Sequence, residues 1–281
     1  MTQVSVTPSM RVRAAVPDVL VPAVVRARVA AKRRRPAALE KARREMEWLL
    51  GAVAPERVEA AAAAYLVRDV VRSEWRYHPK RVSYQPVENA GALTKARATG
   101  RGVVVSFLHH GHYEGATASL AVADRPMGIV VSPEMLAEDA PTFLRQHVRA
   151  GTITGNHPVD AGLGGKELAG RLAKGEALAI ATDVPGSAVV PFLGRDRRGS
   201  SGAARLAAAT NSLVVTMHAH CESDGRLWLS LGDPIEPRDF ADPDDLLRHL
   251  VAAQEESVLA WPEGYHQPTL RWGEESAAST D

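Results

Sequence analysis

Apolar and polar positions follow a helical period in the first third of this chain and a strand-like one after Gly100. Residues 19–35 (LVPAVVRARVAAKRRRP) mix Val and Leu with clusters of Arg and Lys, which predicts a short, basic, amphipathic helix. Residues 37–50 (AALEKARREMEWLL) predict a helix with Leu39, Met46, Leu49 and Leu50 on one face and Gly51 as its stop. Pro55-Glu56 restarts a helix over 58–75, where the Ala run at 60–64 favours helix by intrinsic propensity. Beyond Gly100 the run Gly102-Val103-Val104-Val105-Ser106-Phe107-Leu108 is short, apolar and β-branched, as a buried parallel strand requires. Further strands are expected at 127–131, 152–154, 177–181, 213–221 and 227–231. Helices are expected at 115–123, 140–149, 165–174, 203–210 and 244–261. Strands alternating with helices predict an α/β fold: a mostly parallel central sheet flanked by helices, with an N-terminal helical region. No internal repeat is present.

Composition fits a folded α/β protein, with 45% hydrophobic and 24% charged residues; at 5% aromatic, the core must rest on Val, Leu, Ile and Ala. The net charge is only +1, yet residues 1–50 hold eleven Lys/Arg against four Asp/Glu, while residues 221–281 hold four against fourteen. A basic N-terminal end points to contact with an anionic surface. The apolar stretch 14–25 is broken by Pro17, Asp18 and Pro22 and falls short of the roughly 20 apolar residues that cross a bilayer. The expectation is a cytoplasmic protein, peripheral to the inner face of the cell membrane. One cysteine, Cys221, excludes an intrachain disulfide. Three segments are expected: 1–36, a basic tail (disordered over 1–10) with a membrane-facing segment; 37–273, an α/β domain; and 274–281, a disordered tail.

The densest chemistry lies in His109-His110-Gly111-His112-Tyr113-Glu114-Gly115, where the strand ends and a helix begins. Open α/β sheets bind ligands at the carboxyl ends of their strands. Imidazole is the side chain best matched to taking a proton near neutral pH, and a carboxylate on its other nitrogen fixes the tautomer. A tight strand-to-helix turn can fold Glu114 back onto His109, giving the base and orienter of a triad in which a substrate hydroxyl replaces the serine.

Here the chain resembles the lysophospholipid acyltransferase-like enzymes. It is most similar to their bacterial lipid A biosynthesis branch and the related mycobacterial phosphatidylinositol mannoside acyltransferases. His109-x4-Glu114 matches their His-x4-Asp/Glu signature. Two further blocks follow in family order: a strand ending in Asp183, then Val190-Pro191-Phe192-Leu193-Gly194 and Gly202-Ala203-Ala204-Arg205-Leu206-Ala207; and Trp261-Pro262-Glu263-Gly264-Tyr265 with Leu270-Arg271-Trp272. His110 and His112 stand where Phe and Asn are usual, Ser132-Pro133-Glu134-Met135 replaces an Arg-Pro-x-Asn-Pro block, and Arg195 follows Phe-Leu-Gly. The resemblance implies an acyltransferase with His109 and Glu114 catalytic and an acyl-CoA or acyl carrier protein co-substrate. It implies no cofactor and a hydroxyl of a lipid or glycolipid as acceptor. His112, Tyr113, Asp183, Arg195, Arg205 and His218 are expected as substrate contacts: Arg205 on its match to a family motif position, Arg195 from its basic loop and His218 from its place at a strand end.

Other readings compete. The Arg195–Gly202 stretch (residues 195–202) reads as a basic, Gly/Ser-rich loop before a helix, suited to phosphate. His218 and His220 share a strand face and could join His109, His110 and His112 around zinc in a metal-dependent hydrolase, but no HExxH or CxxC spacing supports a metal, and none is expected. A catalytically silent lipid-binding protein, or the same transfer onto a natural-product or sugar hydroxyl or amine, are further alternatives. Gly162-Leu163-Gly164-Gly165-Lys166 lacks phosphate-loop spacing, and the basic N-terminal stretch lacks the aromatics of a nucleic-acid binder, so neither nucleotide nor nucleic acid is expected.

Overall fold

The computed structural model describes residues 8–273. The chain opens with α1 (Pro8–Ala15), α2 (Val21–Arg33), α3 (Pro36–Leu50), α4 (Val58–Trp75) and the single turn α5 (Pro79–Val82). It continues through β1 (Val87–Glu88), α6 (Gly91–Ala98), β2 (Val103–Phe107), α7 (Tyr113–Ala123), β3 (Gly128–Val131), α8 (Thr142–Thr152), β4 (His157–Asp160), α9 (Gly164–Ala173) and β5 (Ala177–Ala181). A hairpin of β6 (Ala188–Phe192) and β7 (Arg195–Gly199) precedes α10 (Gly202–Thr210), β8 (Leu213–Cys221), β9 (Leu227–Leu231), α11 (Pro243–Ala260) and α12 (Pro268–Arg271).

Seven strands form one sheet in the order β1-β9-β8-β2-β5-β3-β4, parallel throughout except between β8 and β9. Every residue of β2 is buried, which its Val-rich sequence suits, because a central parallel strand is covered on both faces. Successive side chains alternate between two layers. Val104, Leu178, Ile180 and Val214 join one core with α2, α3, α4, α10 and α11. Val103, Val105, Ala179 and Val215 join the other, with α6 and α7. Local chemistry sets the ends of α11: Asp242 accepts from the Asp245 amide at 2.7 Å, Pro243 starts the helix, and Asp244 and Asp245 sit at its positive end.

The expected architecture is present; several details differ. Residues 152–154 are not a strand, because α8 runs through Thr152. The edge strand is His157–Asp160, whose Pro158 and sparse apolar content hide it and are tolerated only at an edge. The charged run 195–198 is not a loop but β7. It pairs antiparallel with β6, and its inward Arg197 sets the guanidinium 3.6 Å over the Trp48 ring and donates to the Trp48 carbonyl at 2.9 Å. Residues 8–10 belong to α1, not to a tail; 1–7 and the expected tail 274–281 lie outside the described residues. Val21, Val25 and Val29 of α2 are buried in the same core as α3 and α4, and Lys32 pairs with Asp69 and Arg28 with Glu74 across α2 and α4. The apolar stripe of α2 is therefore turned inward, leaving Val12, Val19 and Leu20 as the exposed apolar residues of this end. Among the described residues no helix is long and apolar enough to cross a membrane.

Close approach at the start of α7 holds the turn 109–114 against α5. A Cβ on Gly115 would lie 2.2 Å from the Val82 carbonyl oxygen. Gly115→Ala is expected to cost about 1–3 kcal/mol by forcing these helices apart, read as a lower urea midpoint at unchanged slope; an unchanged midpoint would show that the contact carries no constraint.

Candidate active site

The site grows out of strand register. β2 pairs with β5 from Val103↔Ala177 to Phe107↔Ala181. Two residues further on, the same offset sets His109 beside Asp183, and the contact is made twice. The His109 amide donates to Asp183 Oδ2 at 2.8 Å, and His109 Nδ1 lies 2.8 Å from Asp183 Oδ1. Tyr265 Oη donates to Asp183 Oδ2 at 2.7 Å, and Trp272 Nε1 donates to Tyr265 Oη at 3.0 Å. Burial alone would raise the Asp183 carboxyl, but its electrostatic and hydrogen-bond interactions with the His109 ring and amide, together with the Arg271 charge, hold it below the usual carboxylate range. An ionised Asp183 accepts from Nδ1–H, which leaves the lone pair on His109 Nε2. Burial, with the nearby Arg271 charge, lowers the His109 pKa, so the ring is neutral at neutral pH.

Glu114 does not occupy the place the spacing suggests. The turn 110–112 instead carries it into the first turn of α7, where its Oε1 meets Arg76 Nη2 at 3.1 Å and His147 Nδ1 at 3.9 Å. Burial would raise its pKa, but Arg76, then His147 and Arg72, outweigh that and hold the carboxyl at about 2. Glu114 is thus a buried carboxylate near His109, whose charge favours the imidazolium, while the ring nitrogen itself is held by Asp183.

The turn is clamped by the C-terminal segment. His266 N–H donates to the His109 carbonyl at 2.9 Å and Gly111 N–H to the Gly264 carbonyl at 3.0 Å. Gly111 adopts φ +68°, and a Cβ there would lie 2.6 Å from that of Ala219, so only glycine fits. The three histidines of the turn have separate surroundings. His110 is fixed by its Nε2, 2.8 Å from the Trp261 carbonyl, and burial pushes its pKa to about 3. His112 caps α7 and lines a cleft on the α4 side. Tyr113 packs its ring edge on His109 at 4.6 Å between centroids, and its hydroxyl meets His266 Nδ1 at 3.0 Å and Arg271 Nη2 at 3.1 Å. Beside Tyr113, Glu114 and His147, a crevice bounded by Ile129, Val131 and Pro158 holds about 20 Å³, room for about one water.

The remaining expected contacts are not gathered here. Arg195 on β7 and Arg205 on α10 are exposed and touch none of these groups. His218 Nε2 lies 2.9 Å from Thr216 Oγ1. His220 Nε2 lies 2.8 Å from Ser230 Oγ, and its ring is stacked on Trp228. Among the described residues no three His, Cys, Asp or Glu side chains come together as metal ligands. Sequence reasoning missed Arg76, His147 and His266. Arg68, Arg72 and Arg76 recur at intervals of four on α4, a signal that places them on one face; nothing in the local sequence marks His147 or His266.

These pKa directions fix an acid sensitivity. His109, His110 and His112 are each about 95% buried or more, and burial lowers all three below the unfolded imidazole value near 6.5. A lowered folded-state pKa means that the unfolded chain binds protons first. The stability these groups confer is complete above about pH 6.5 and is lost as pH falls towards their folded values. Asp183 and Glu114 titrate below this window. Unfolding free energy is expected to drop between pH 7 and pH 5.5 in urea titrations, by roughly 1 kcal/mol for each imidazole whose folded pKa lies below that window, as those of His110 and His147 do at about 3; a flat profile would mean that these rings are not held neutral.

Comparison with known proteins places the chain in a family. The family model of the bacterial lipid A biosynthesis acyltransferases matches residues 59–273, from α4 to the end of the clamp. Among solved structures, the 1-acyl-sn-glycerophosphate acyltransferase PlsC from Thermotoga maritima is similar at 15% identity and a TM-score of 0.43, covering 69% of this chain and 81% of that one. A comparison with curated proteins finds no match. With three quarters of its length matched by one family model, from the helix that supplies Arg76 through the strand end that supplies His109, the chain belongs to the bacterial lipid A biosynthesis acyltransferase family and is an acyltransferase.

Proposed function

We propose that this acyltransferase moves a fatty acyl group from acyl-CoA or an acyl carrier protein onto a hydroxyl of a glycolipid or related lipid, with His109 as general base. The observation that carries the reading is the His109 Nδ1–Asp183 contact of 2.8 Å at the end of the central strand, which leaves Nε2 to accept a proton. Nε2 takes the acceptor hydroxyl proton as the oxygen attacks the thioester carbonyl. The carbon–sulfur bond then breaks, and the imidazolium returns its proton to the departing thiolate. Asp183 orients the ring and balances the imidazolium; Glu114, ionised and buried nearby, adds to that balance from a distance. Membrane contact belongs to the same reading. Val12, Val19 and Leu20 are exposed at the basic end of the chain, which also exposes Arg11, Arg26, Arg33, Arg34 and Arg35, a combination suited to an anionic leaflet on the cytoplasmic side.

Transfer from acyl-CoA to an extracted lipid acceptor, followed by mass spectrometry of the product, tests this. His109→Ala is expected to lower kcat about a thousandfold or more with folding retained. Asp183→Asn is expected to cost about as much, because an amide no longer imposes the productive tautomer. Glu114→Gln should cost less than Asp183→Asn. Near-normal turnover by His109→Ala would end the reading, and a Glu114→Gln defect larger than that of Asp183→Asn would return the orienting role to Glu114.

A further inference from the structure

One helix face carries more positive charge than its surroundings balance. Arg68, Arg72 and Arg76 stand one turn apart on α4, behind the turn that holds His109. Arg76 is paired with Glu114. Arg72 is buried and gives Nη2 to the Gly264 carbonyl at 2.6 Å, a neutral acceptor, while its Nε and Nη1 are buried without a hydrogen-bond partner. Arg68 stacks at 4.4 Å over the Trp261 ring, and its Nε and Nη2 are likewise buried without a partner. Glu263 reaches Arg68 by charge alone, with no ion-pair contact. Two guanidinium charges therefore lack a contacting anion, and buried charge without a counter-charge is costly.

Arg68 opens onto a cleft of about 330 Å³ between α4, the segment after α5 and the β8–β9 turn. Arg81, Arg226, His112, Trp75 and Tyr84 also line it. Asp18 holds Arg81 at 2.7 Å; Arg226 is exposed. Guanidinium groups bind phosphate through charge-assisted hydrogen bonds, and the charges of Arg68 and Arg226, neither of which pairs with a carboxylate among the described residues, together match the −1.5 to −2 of a phosphate monoester better than the single charge of a carboxylate or diester. The aromatic side chains suit whatever the phosphate is attached to.

We propose that this cleft binds a phosphate monoester of one of the two substrates, with Arg68 and Arg226 as its charged contacts. The proposal rests on the transfer reading above, and two sources share this chemistry: the 3′-phosphate of a coenzyme A donor and a terminal phosphate on the lipid acceptor.

Calorimetry of the full chain with coenzyme A and with dephospho-coenzyme A tests the first. Flotation with phosphatidylcholine vesicles containing phosphatidic acid or phosphatidylglycerol tests the second. The monoester probe should bind at least tenfold more tightly than its partner in one of these arms, and both Arg68→Gln and Arg226→Gln should remove that preference. Loss confined to coenzyme A identifies the donor, and loss confined to phosphatidic acid the acceptor. Arg226 is exposed, so its variant keeps the test meaningful if Arg68→Gln fails to fold. Wild-type protein without preference in either arm, or an Arg226→Gln variant that keeps the full preference, would overturn the proposal. Failure of the transfer reading is separable, since it shows as retained turnover in His109→Ala whatever the cleft binds.

Discussion

In-register pairing of β2 with β5 is the constraint from which the site follows. The two strands run parallel with a constant offset of 74 residues, and the hydrogen bonds between residues 109 and 183 extend that offset past the end of the sheet. A slip of one residue would turn Asp183 to the opposite face and leave a fully buried carboxylate without the amide, imidazole and phenol that now surround it. The apolar alternation that fixes the register is spread over Val103–Phe107 and Ala177–Ala181. Core packing and catalytic geometry are thus set by the same residues.

Around that pair, the molecule concentrates charge in a buried region. Glu114 is tied to α4 through Arg76, and Asp183 to the C-terminal clamp through Tyr265 and Trp272. Two carboxylates near one imidazole occupy different environments and do different work: one contacts the ring, and the other neutralises part of an arginine-rich helix face. Both remain ionised because cationic or hydrogen-bonding partners outweigh burial. The clamp also explains why segments distant in sequence meet at one turn, since backbone bonds from 264 and 266 close over 109 and 111.

Much of this is legible in the chain. The β2 run, the helix after it, β5, β8 and β9 follow from periodicity, and the position of His109 just past an apolar β-branched run marks the site by sequence alone. Residues 152–157 and 195–198 escape a periodicity reading for identifiable reasons: an edge strand tolerates a proline and few apolar residues, and a strand with one inward arginine looks like a charged loop. Spacing along the chain says only that His109 and Glu114 can meet, and in the structure the carboxylate on His109 Nδ1 is that of Asp183 while Glu114 meets Arg76. Asp183 lies 74 positions away, and its claim on His109 depends on which strands are neighbours, a fact of topology that no local pattern contains. The apolar stripe of α2 poses a similar ambiguity. The same Val21, Val25 and Val29 spacing serves a membrane or a core, and here it packs on the core.

The central claim is that Asp183, by way of Nδ1, sets the tautomer of His109. Side-chain nitrogen NMR of protein labelled with 15N in histidine, with His109 assigned by its loss in His109→Gln, reads this directly. The account predicts a neutral ring at pH 7 with the proton on Nδ1 and a bare Nε2, a state that persists in Glu114→Gln and is lost or mixed in Asp183→Asn. A proton on Nε2 in the native protein, or a tautomer that follows Glu114 and ignores Asp183, would contradict it.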